Sequence, residues 1–564
     1  MSLLLVTSIV IGIFLSGYWI YGRFLASAFR LRRENLTPAV QINDGIDFTP
    51  THPTILLGQH FTAIAAVGPI VGPILAGSQH GWLPGLLWIA MGSLFIGGVH
   101  DFSALVSSLR HGARSIAELV KLYISPTGYL FFLLFIWLSL LYVVVVFTDL
   151  TSQAFVAEPL GPGVASSSFL YLLLAVLLGV ALYRLGISLW LSTLLFVPMV
   201  FAIIWMGQKI PVSLPPLFGS SQRAWYLIIL LYCFIASVIP LKVLLQPRGY
   251  LGSFYLLSTF VVGFIGTLLG GVLIKYPARV STLLFGTSLT EGTPTPVIFP
   301  LLFTTIACGA CSGFHGLVSS GTTSKMLRSE SEARRVGYGG MLLEGFVAVI
   351  ALSTVMMLAP GDPGLKRSPD EIYAFGLARF LEIFGVPLTF AVTFGKLAFA
   401  TFIYDTLDVA TRLGRYIFQE LTGWKGRWGA IAATLATLIL PTFAVFYQIK
   451  DPTGKIIPLW KIFWPLFGTS NQLLAAITLT AVTVWLKREG NKWWITGIPA
   501  LFMVTITFWS LILIISPWLS RLLGGGFQLD WIGTTGTLLF LLALLILIQG
   551  VKKIIFLRTH EGTL

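Results

Sequence analysis

Five ionisable side chains stand inside stretches of sequence that are otherwise apolar: His60, Asp101, His315, Glu344 and Asp408. A charge or an imidazole is costly to hold in a low-dielectric segment. Such residues are therefore functional candidates by default, as proton carriers, ion ligands or gates. Counted from the cytoplasmic ends of the spans drawn below, each lies within about eight residues of that face, about 12 Å at 1.5 Å per residue. They are expected to form one polar cluster in the inner half of a helical bundle. Asp101 and Glu344 sit amid apolar neighbours and are the expected proton site, with His60 and His315 as relays. Asp408 has Arg412 one turn on, so a capping or ion-pair role stands beside a gating one. Each lone histidine has the alternative of a satisfied core residue. Asp405 shares a helix face with Asp408, and Lys396, the one basic residue placed deep in a span, is expected to pair with a carboxylate.

Two segments differ from the rest of the chain. The first, 58–73, carries Gly68-Pro69 and Gly72-Pro73 in mid-span. Each proline removes a backbone donor and crowds the preceding turn, and each glycine loosens the helix further. A simple packed kink is the alternative to a break. The second, 304–325, is rich in small and hydroxyl residues around Cys308, Gly309, Ser312, Gly313, His315, Ser319 and Ser320. Small residues also serve close helix contacts, which is the reading for Gly266 and Gly270. In 304–325, hydroxyls, a histidine and glycines coincide, and the expectation is a discontinuous helix lining a polar site. Unwound backbone is tolerated in lipid only where protein or a water-filled cavity satisfies it. A pair of Gly/Pro-interrupted spans in two inverted halves is a pointer to a transporter's binding site. The expected substrate site therefore lies between Gly68, Pro69, Gly72 and Pro73 on one side and Cys308, Gly309, Ser312, Gly313, Ser319 and Ser320 on the other, with free amides and hydroxyls facing an anionic group.

The elements that must position these residues are membrane helices. Of the 564 residues, 56% are hydrophobic and 10% charged, whereas soluble domains carry about 25% charged residues. A spanning helix needs about 20 mostly apolar residues. Fifteen candidates occur, near 2–24, 55–78, 82–109, 126–148, 167–184, 187–206, 224–244, 250–274, 297–322, 337–358, 384–410, 428–447, 464–486, 494–516 and 532–552. The chain reads as an all-α, polytopic, single membrane domain over 1–564. Its parts are an extra N-terminal helix and cytoplasmic link over 1–54, a transport core over 55–486, and extra C-terminal helices over 487–564. The segment Met1–Tyr21 lacks a basic start and a small-residue cleavage site, so it reads as a retained helix rather than a signal peptide.

The net charge of +14 does not point to nucleic acid. With the N-terminus outside and the C-terminus inside, 24 of the 36 Lys and Arg fall in cytoplasmic connections, Arg248 and Arg412 among them, and 11 in outer ones. That excess is the positive-inside pattern of a cytoplasmic-membrane protein. The stretch Gly316–Thr323 lacks the lysine of a P-loop and follows no strand, so no ATPase is expected. Cys308-Gly309-Ala310-Cys311 has a redox or metal-pair spacing, but no second pair completes a zinc site. No cofactor, resident metal or enzymatic activity is expected. The alternatives are a channel, which would show a continuous polar stripe, and a membrane metalloenzyme using His60, Asp101, His315 and Glu344, for which no HExxH-like spacing exists.

A further set of motifs resembles the carbon starvation protein family, the CstA-type transporters. They are Thr37-Pro-Ala-Val40 with Asn43-Asp44-Gly45, Gly58-Gln-His-Phe61, Gly68-Pro-Ile-Val-Gly-Pro73, Asp101-Phe102, the run from Ala307 through Gly321-Thr322-Thr323, Gly337-Tyr-Gly-Gly-Met341 with Glu344, Asp408 with Thr411-Arg412, and Trp464-Pro-Leu-Phe-Gly-Thr-Ser-Asn-Gln472. Thr322, Lys325, Arg412 and Asn471 are further motif positions. This chain departs from the family at Gln59, where His is frequent, at His100, where a Gln-like residue is frequent, and at Cys311, which replaces an apolar residue. The resemblance implies uptake of peptides or pyruvate under nutrient limitation, driven by protons or alternatively by sodium. It also implies a LeuT-like fold of the amino acid–polyamine–organocation type, with inverted five-helix repeats and the two broken spans opening each repeat. Seven candidate spans run from residue 55 up to the second break, two more than a strict repeat allows. Peptide against pyruvate, and the oligomeric state, stay open.

Overall fold

A computed structural model describes residues 1–44, 48–240, 243–280, 298–447, 449–450, 454, 456–524 and 530–556. Gly45, Lys242, the connection at 281–297 and Arg558 lie outside the described residues. Among those described, thirteen continuous helices are long and apolar enough to cross a membrane, from Leu3–Ala28 to Trp531–Phe556. A fourteenth span is a pair, Pro53–Ile64 and Gly68–His80, bent by 51°. The candidate at 297–322 is built as two short helices, Leu301–Thr305 and Gly313–Gly321, separated by non-helical backbone. Each of the fifteen expected spans thus has a counterpart, thirteen continuous and two interrupted. The spans expected at 167–184 and 187–206 are the separate helices Gly161–Tyr183 and Leu189–Lys209. The one described sheet is a two-stranded antiparallel ribbon, Ile449–Lys450 with Ile456–Ile457.

The chain divides into two compact units. One comprises Met1–Leu4, Ser139–Lys275 and Ser353–Trp464; the other comprises Leu5–Leu138, Tyr276–Leu352 and Pro465–Leu564. Both interrupted spans lie in the second unit. Each is followed in sequence by a helix containing a π-turn, Ser93–Gly97 within Trp82–Arg110 and Arg334–Tyr338 within Glu330–Met356. A π-turn inserts one residue and rotates everything after it, which is why such turns gather at functional sites. The order of broken helix then π-turned helix therefore occurs twice.

Helix ends differ from hydropathy boundaries where polar residues continue a helix inward. The helix beginning at Leu245 takes in Arg248, and Leu388–Thr422 takes in Arg412 and Arg415. These arginines had counted as loop charges, but they are 2%, 7% and 7% exposed. Lys396 meets Glu371 Oε1 at 3.2 Å, the carboxylate partner expected for it.

Candidate functional site

The first interruption lies a turn earlier than the Gly-Pro pairs suggest. The helix from Pro53 stops at Ile64, and Ala65 leaves helical geometry at ψ 60°. A new helix starts at Gly68, with Pro69 in its first turn and Pro73 inside it. Proline is well placed in a first turn, where its missing N–H would have had no partner. Gly68 and Gly72 therefore unwind nothing. They allow close approach to the second interruption. A Cβ on Gly68 would stand 2.5 Å from Cys308 Cβ, and one on Gly72 would stand 2.6 Å from the Thr305 carbonyl oxygen.

The second interruption spans 306–312, shorter than the 304–325 segment that the sequence marks out. Here Gly309 adopts φ +87°, a left-handed conformation that glycine tolerates best. Its Cβ, if present, would lie 2.6 Å from Ala348 Cβ. Side chains replace the missing helical ladder. Trp88 Nε1 donates to the carbonyls of Phe303 at 3.1 Å and Ile306 at 3.0 Å, and Gln472 Nε2 donates to Phe303 O at 2.8 Å. Ser93 donates to Gly309 O at 2.9 Å, and the Gly309 N–H donates to Glu344 Oε1 at 3.1 Å. Asn471 accepts from the Phe314 N–H at 3.1 Å and donates to Ser312 Oγ at 3.0 Å and Cys308 Sγ at 3.3 Å. Non-helical backbone at membrane depth is thus satisfied by three neighbouring helices.

Four ionisable residues join this framework. His100 Nδ1 donates to Asp101 Oδ1 at 2.8 Å, and His315 Nδ1 donates to Asp101 Oδ2 at 2.7 Å. On its other side His315 Nε2 lies 3.2 Å from Glu344 Oε2, close but not aligned as a full hydrogen bond. All four are at most 1% exposed. With Asp101 fixing Nδ1–H on His315, the Nε2–Oε2 contact is attractive only if one proton sits between its two atoms. The assembly is therefore a relay of contacts, His100–Asp101–His315–Glu344, ending on the Gly309 amide. Its parts come from the two π-turned helices and from Gly313–Gly321.

Other expected site residues sit elsewhere. His60 Nδ1 meets Thr323 Oγ1 at 2.9 Å, and its Nε2 is buried without a hydrogen-bond partner among the described residues. Gly313 packs against the Asn471–Ala475 backbone. Ser319 is buried, its hydroxyl unpartnered among the described residues. Ser320 donates to Gly316 O at 2.7 Å and accepts from the Ile116 N–H at 3.2 Å, so its hydroxyl is committed to packing. Thr322 donates to Val318 O at 2.9 Å, and Lys325 stacks over Phe48. Asp408 does not join the relay and does not pair with Arg412. It is held by Arg248 and by the Tyr232 hydroxyl at 2.7 Å, while Arg412 is spent on the carbonyls of Ala236 and Ile239. The reason is reach: the guanidinium of Arg412 is drawn to a neighbouring helix's C-terminal carbonyls, leaving Asp408 to Arg248.

Comparisons with known proteins identify the family. The family model described as carbon starvation protein CstA matches residues 1–365 and 364–510. The chain belongs to that family. It is 34% identical to a peptide transporter CstA of Helicobacter pylori, over 89% of this chain and 80% of that protein. It is 32% identical to the peptide transporter CstA of Escherichia coli, over 88% and 78% of the two chains. It is 30% identical to the pyruvate/proton symporter BtsT of Escherichia coli, over 89% and 80%. Among solved structures, it resembles a manganese transporter of Eremococcus coleocola with TM-score 0.43 and 15% identity, covering 89% of this chain and 94% of that one. A Na+-coupled sialic acid symporter matches with TM-score 0.44 and 11% identity over 99% of both chains.

As a member of the carbon starvation family, the chain carries its motifs at the geometry just described. Trp464–Gln472 supplies Asn471 and Gln472 to the second interruption, and Gly337–Met341 forms the end of one π-turn and the start of the helix that carries Glu344. Two groups were not singled out as functional from sequence, His100 and Ser93. His100 is an ionisable residue beside Asp101 inside a span, which was signal enough. Ser93 is one of many span hydroxyls, and nothing local distinguishes it.

Proposed function

We propose that this chain imports a small carboxylate-bearing nutrient, a peptide or pyruvate, by secondary active transport coupled to protons across the cytoplasmic membrane. Its N-terminus then lies outside and its C-terminus inside, by the distribution of basic residues. The observation that carries the reading is the contact of the Gly309 amide with Glu344, which joins unwound backbone to a buried proton relay. The substrate carboxylate is taken by backbone and hydroxyls at the two interruptions, around Gly68–Pro73 and Cys308–Gly313. One proton between His315 and Glu344 holds the second interruption in its present form. When it leaves, two lone pairs face each other at 3.2 Å and two carboxylates stay buried without a matching cation. That state drives Glu344 away from His315, and the Gly309 backbone, bound to the carboxylate, follows and rearranges the site. Proton binding and site geometry are thereby linked, as symport requires.

The test is counterflow and pH-driven uptake in proteoliposomes with labelled pyruvate and small peptides. Uphill accumulation under a pH gradient, absent under a sodium gradient, supports the reading. Accumulation driven by sodium alone removes the proton assignment. No movement of either substrate class removes the substrate assignment.

A further inference from the structure

A second buried charge cluster lies in the unit that contains Ser139–Lys275 and Ser353–Trp464. Arg248, 2% exposed, sits on the helix Leu245–Leu269 and reaches two carboxylates on Leu388–Thr422. Its guanidinium meets Asp405 Oδ1 at 2.5 Å and is paired with Asp408 Oδ2. It also donates to Tyr232 Oη at 2.5 Å and to the Tyr404 carbonyl at 3.3 Å. The Tyr232 hydroxyl donates in turn to Asp408 Oδ2 at 2.7 Å, and Tyr171 donates to the Arg248 carbonyl at 2.8 Å. Three polar atoms of the cluster remain buried without a hydrogen-bond partner among the described residues, Arg248 Nε, Asp405 Oδ1 and Asp408 Oδ1, the second of them held only by its ion-pair contact.

In direct contact one guanidinium is shared by two carboxylates; Arg412 adds a positive charge nearby but touches neither of them. The other groups facing it are the neutral phenols of Tyr171, Tyr232 and Tyr404, the Cys233 thiol, and Arg412, whose guanidinium is spent on backbone carbonyls. An unmatched charge buried in a membrane span is expensive. The two carboxylates are not equivalent. Asp408 is sealed at 0% exposure and takes both the guanidinium and the Tyr232 hydroxyl, whereas Asp405 keeps 24% of its side chain accessible. We propose that the Arg248–Asp405–Asp408 cluster is a second proton-binding site, loaded on Asp405 and separate from the His315–Glu344 relay. With Asp405 protonated, Arg248 and Asp408 balance one to one. With Asp405 bare, two carboxylates compete for the one guanidinium they touch. The site would add a proton to each transport cycle, an addition that rests on the proton-driven reading above, whereas the binding of that proton does not.

The first test is independent of transport. Purified full-length protein in lipid is titrated with pH while the infrared stretch of protonated carboxyl groups is followed. Asp405→Asn is expected to remove one titrating component, and Glu344→Gln a different one. Asp405→Asn leaves Arg248 matched by Asp408, so it is expected to fold. Arg248→Lys keeps the cation and is expected to shift the Asp405 component without removing it. A spectrum of Asp405→Asn superimposable on the wild type, an unshifted band in Arg248→Lys, or a band that responds to sodium rather than pH would overturn the proposal. The second test is the proton-to-substrate ratio in proteoliposomes with labelled pyruvate, expected to fall by one proton in Asp405→Asn; an unchanged ratio also overturns it. If wild-type protein moves no pyruvate, the substrate assignment fails and the infrared titration still decides this one.

Discussion

Glu344→Gln separates the geometric and protonic parts of the relay. In the structure Glu344 Oε1 accepts the Gly309 N–H at 3.1 Å while Oε2 faces His315 Nε2 at 3.2 Å. A glutamine can reproduce both contacts, its oxygen accepting from Gly309 and its amide donating to His315. It therefore mimics the protonated glutamate and cannot release the proton. With one coupled proton, a gradient of two pH units supplies about 2.7 kcal/mol, roughly a hundredfold accumulation of a neutral substrate–proton pair. In Glu344→Gln the contribution of this site is expected to vanish, while substrate exchange at equal concentrations stays within about threefold of wild type, because no hydrogen bond is lost. Glu344→Ala should behave differently. It strands a buried Gly309 N–H at a cost of about 1–3 kcal/mol, so exchange itself should fall by roughly tenfold to a hundredfold. The assay is uptake of labelled pyruvate into proteoliposomes under an imposed pH gradient, with counterflow as control. A Glu344→Gln protein that accumulates substrate to the wild-type ratio would refute the argument, as would equal loss of exchange in both variants.

Gly72→Leu places side-chain atoms where even a Cβ is 2.6 Å from the Thr305 carbonyl; overpacking of this kind costs about 1–3 kcal/mol, and transport should fall at least tenfold at normal expression, with wild-type rates counting against the site's placement. Asn471→Ala removes the acceptor of the Phe314 N–H and the donor to Ser312; raised KM with a smaller change in maximal rate is expected, whereas an unchanged KM would show that the second interruption holds itself. His111, just beyond the Trp82–Arg110 helix, donates from Nδ1 to Ser107 O and accepts at Nε2 from Tyr123, and burial holds its imidazole below the usual range. The unfolded chain therefore takes up the proton more readily, so this stability is full at neutral pH and falls as pH drops through the unfolded value, about 6.5; thermal unfolding at pH 7.5 and 5.5 should show a larger loss for wild type than for His111→Gln, and equal losses would sink the assignment.

How far these features were legible in the sequence depends on the range over which each is decided. Span number follows from local hydropathy, which acts over about 20 residues, and the fifteen expected spans all have counterparts. That both interruptions exist was also local information, since Gly-Pro pairs and a Gly/Ser/Thr-rich run weaken helices wherever they stand. Their positions were not. The chain breaks at 65–67 rather than at Gly72-Pro73 because Gly68 and Gly72 must meet Thr305 and Cys308, more than two hundred residues away in sequence. Arg248 and Asp408 show the same limit from the electrostatic side. Hydropathy pushed Arg248 into a loop, and sequence proximity offered Arg412 to Asp408, but the pair that forms is separated by 160 residues.

The two charge clusters also explain why span glycines and serines outnumber obvious ligands here. In the relay, each oxygen of Asp101 is held by a histidine, and Asp101 reaches Gly309 through His315 and then Glu344. In the other unit, Arg248 and Tyr232 both hold Asp408 through Oδ2, and Asp405 is the carboxylate left accessible. In the proposed reading, each cluster pairs one fixed carboxylate, which sets the orientation of a cation or imidazole, with one variable carboxylate that changes its proton. The fixed member buys geometry at the cost of a buried charge, and the variable member turns that geometry into a response to pH. Glycines and hydroxyls around Gly309 then need only follow Glu344, because unwound backbone has no ladder of its own to resist the change.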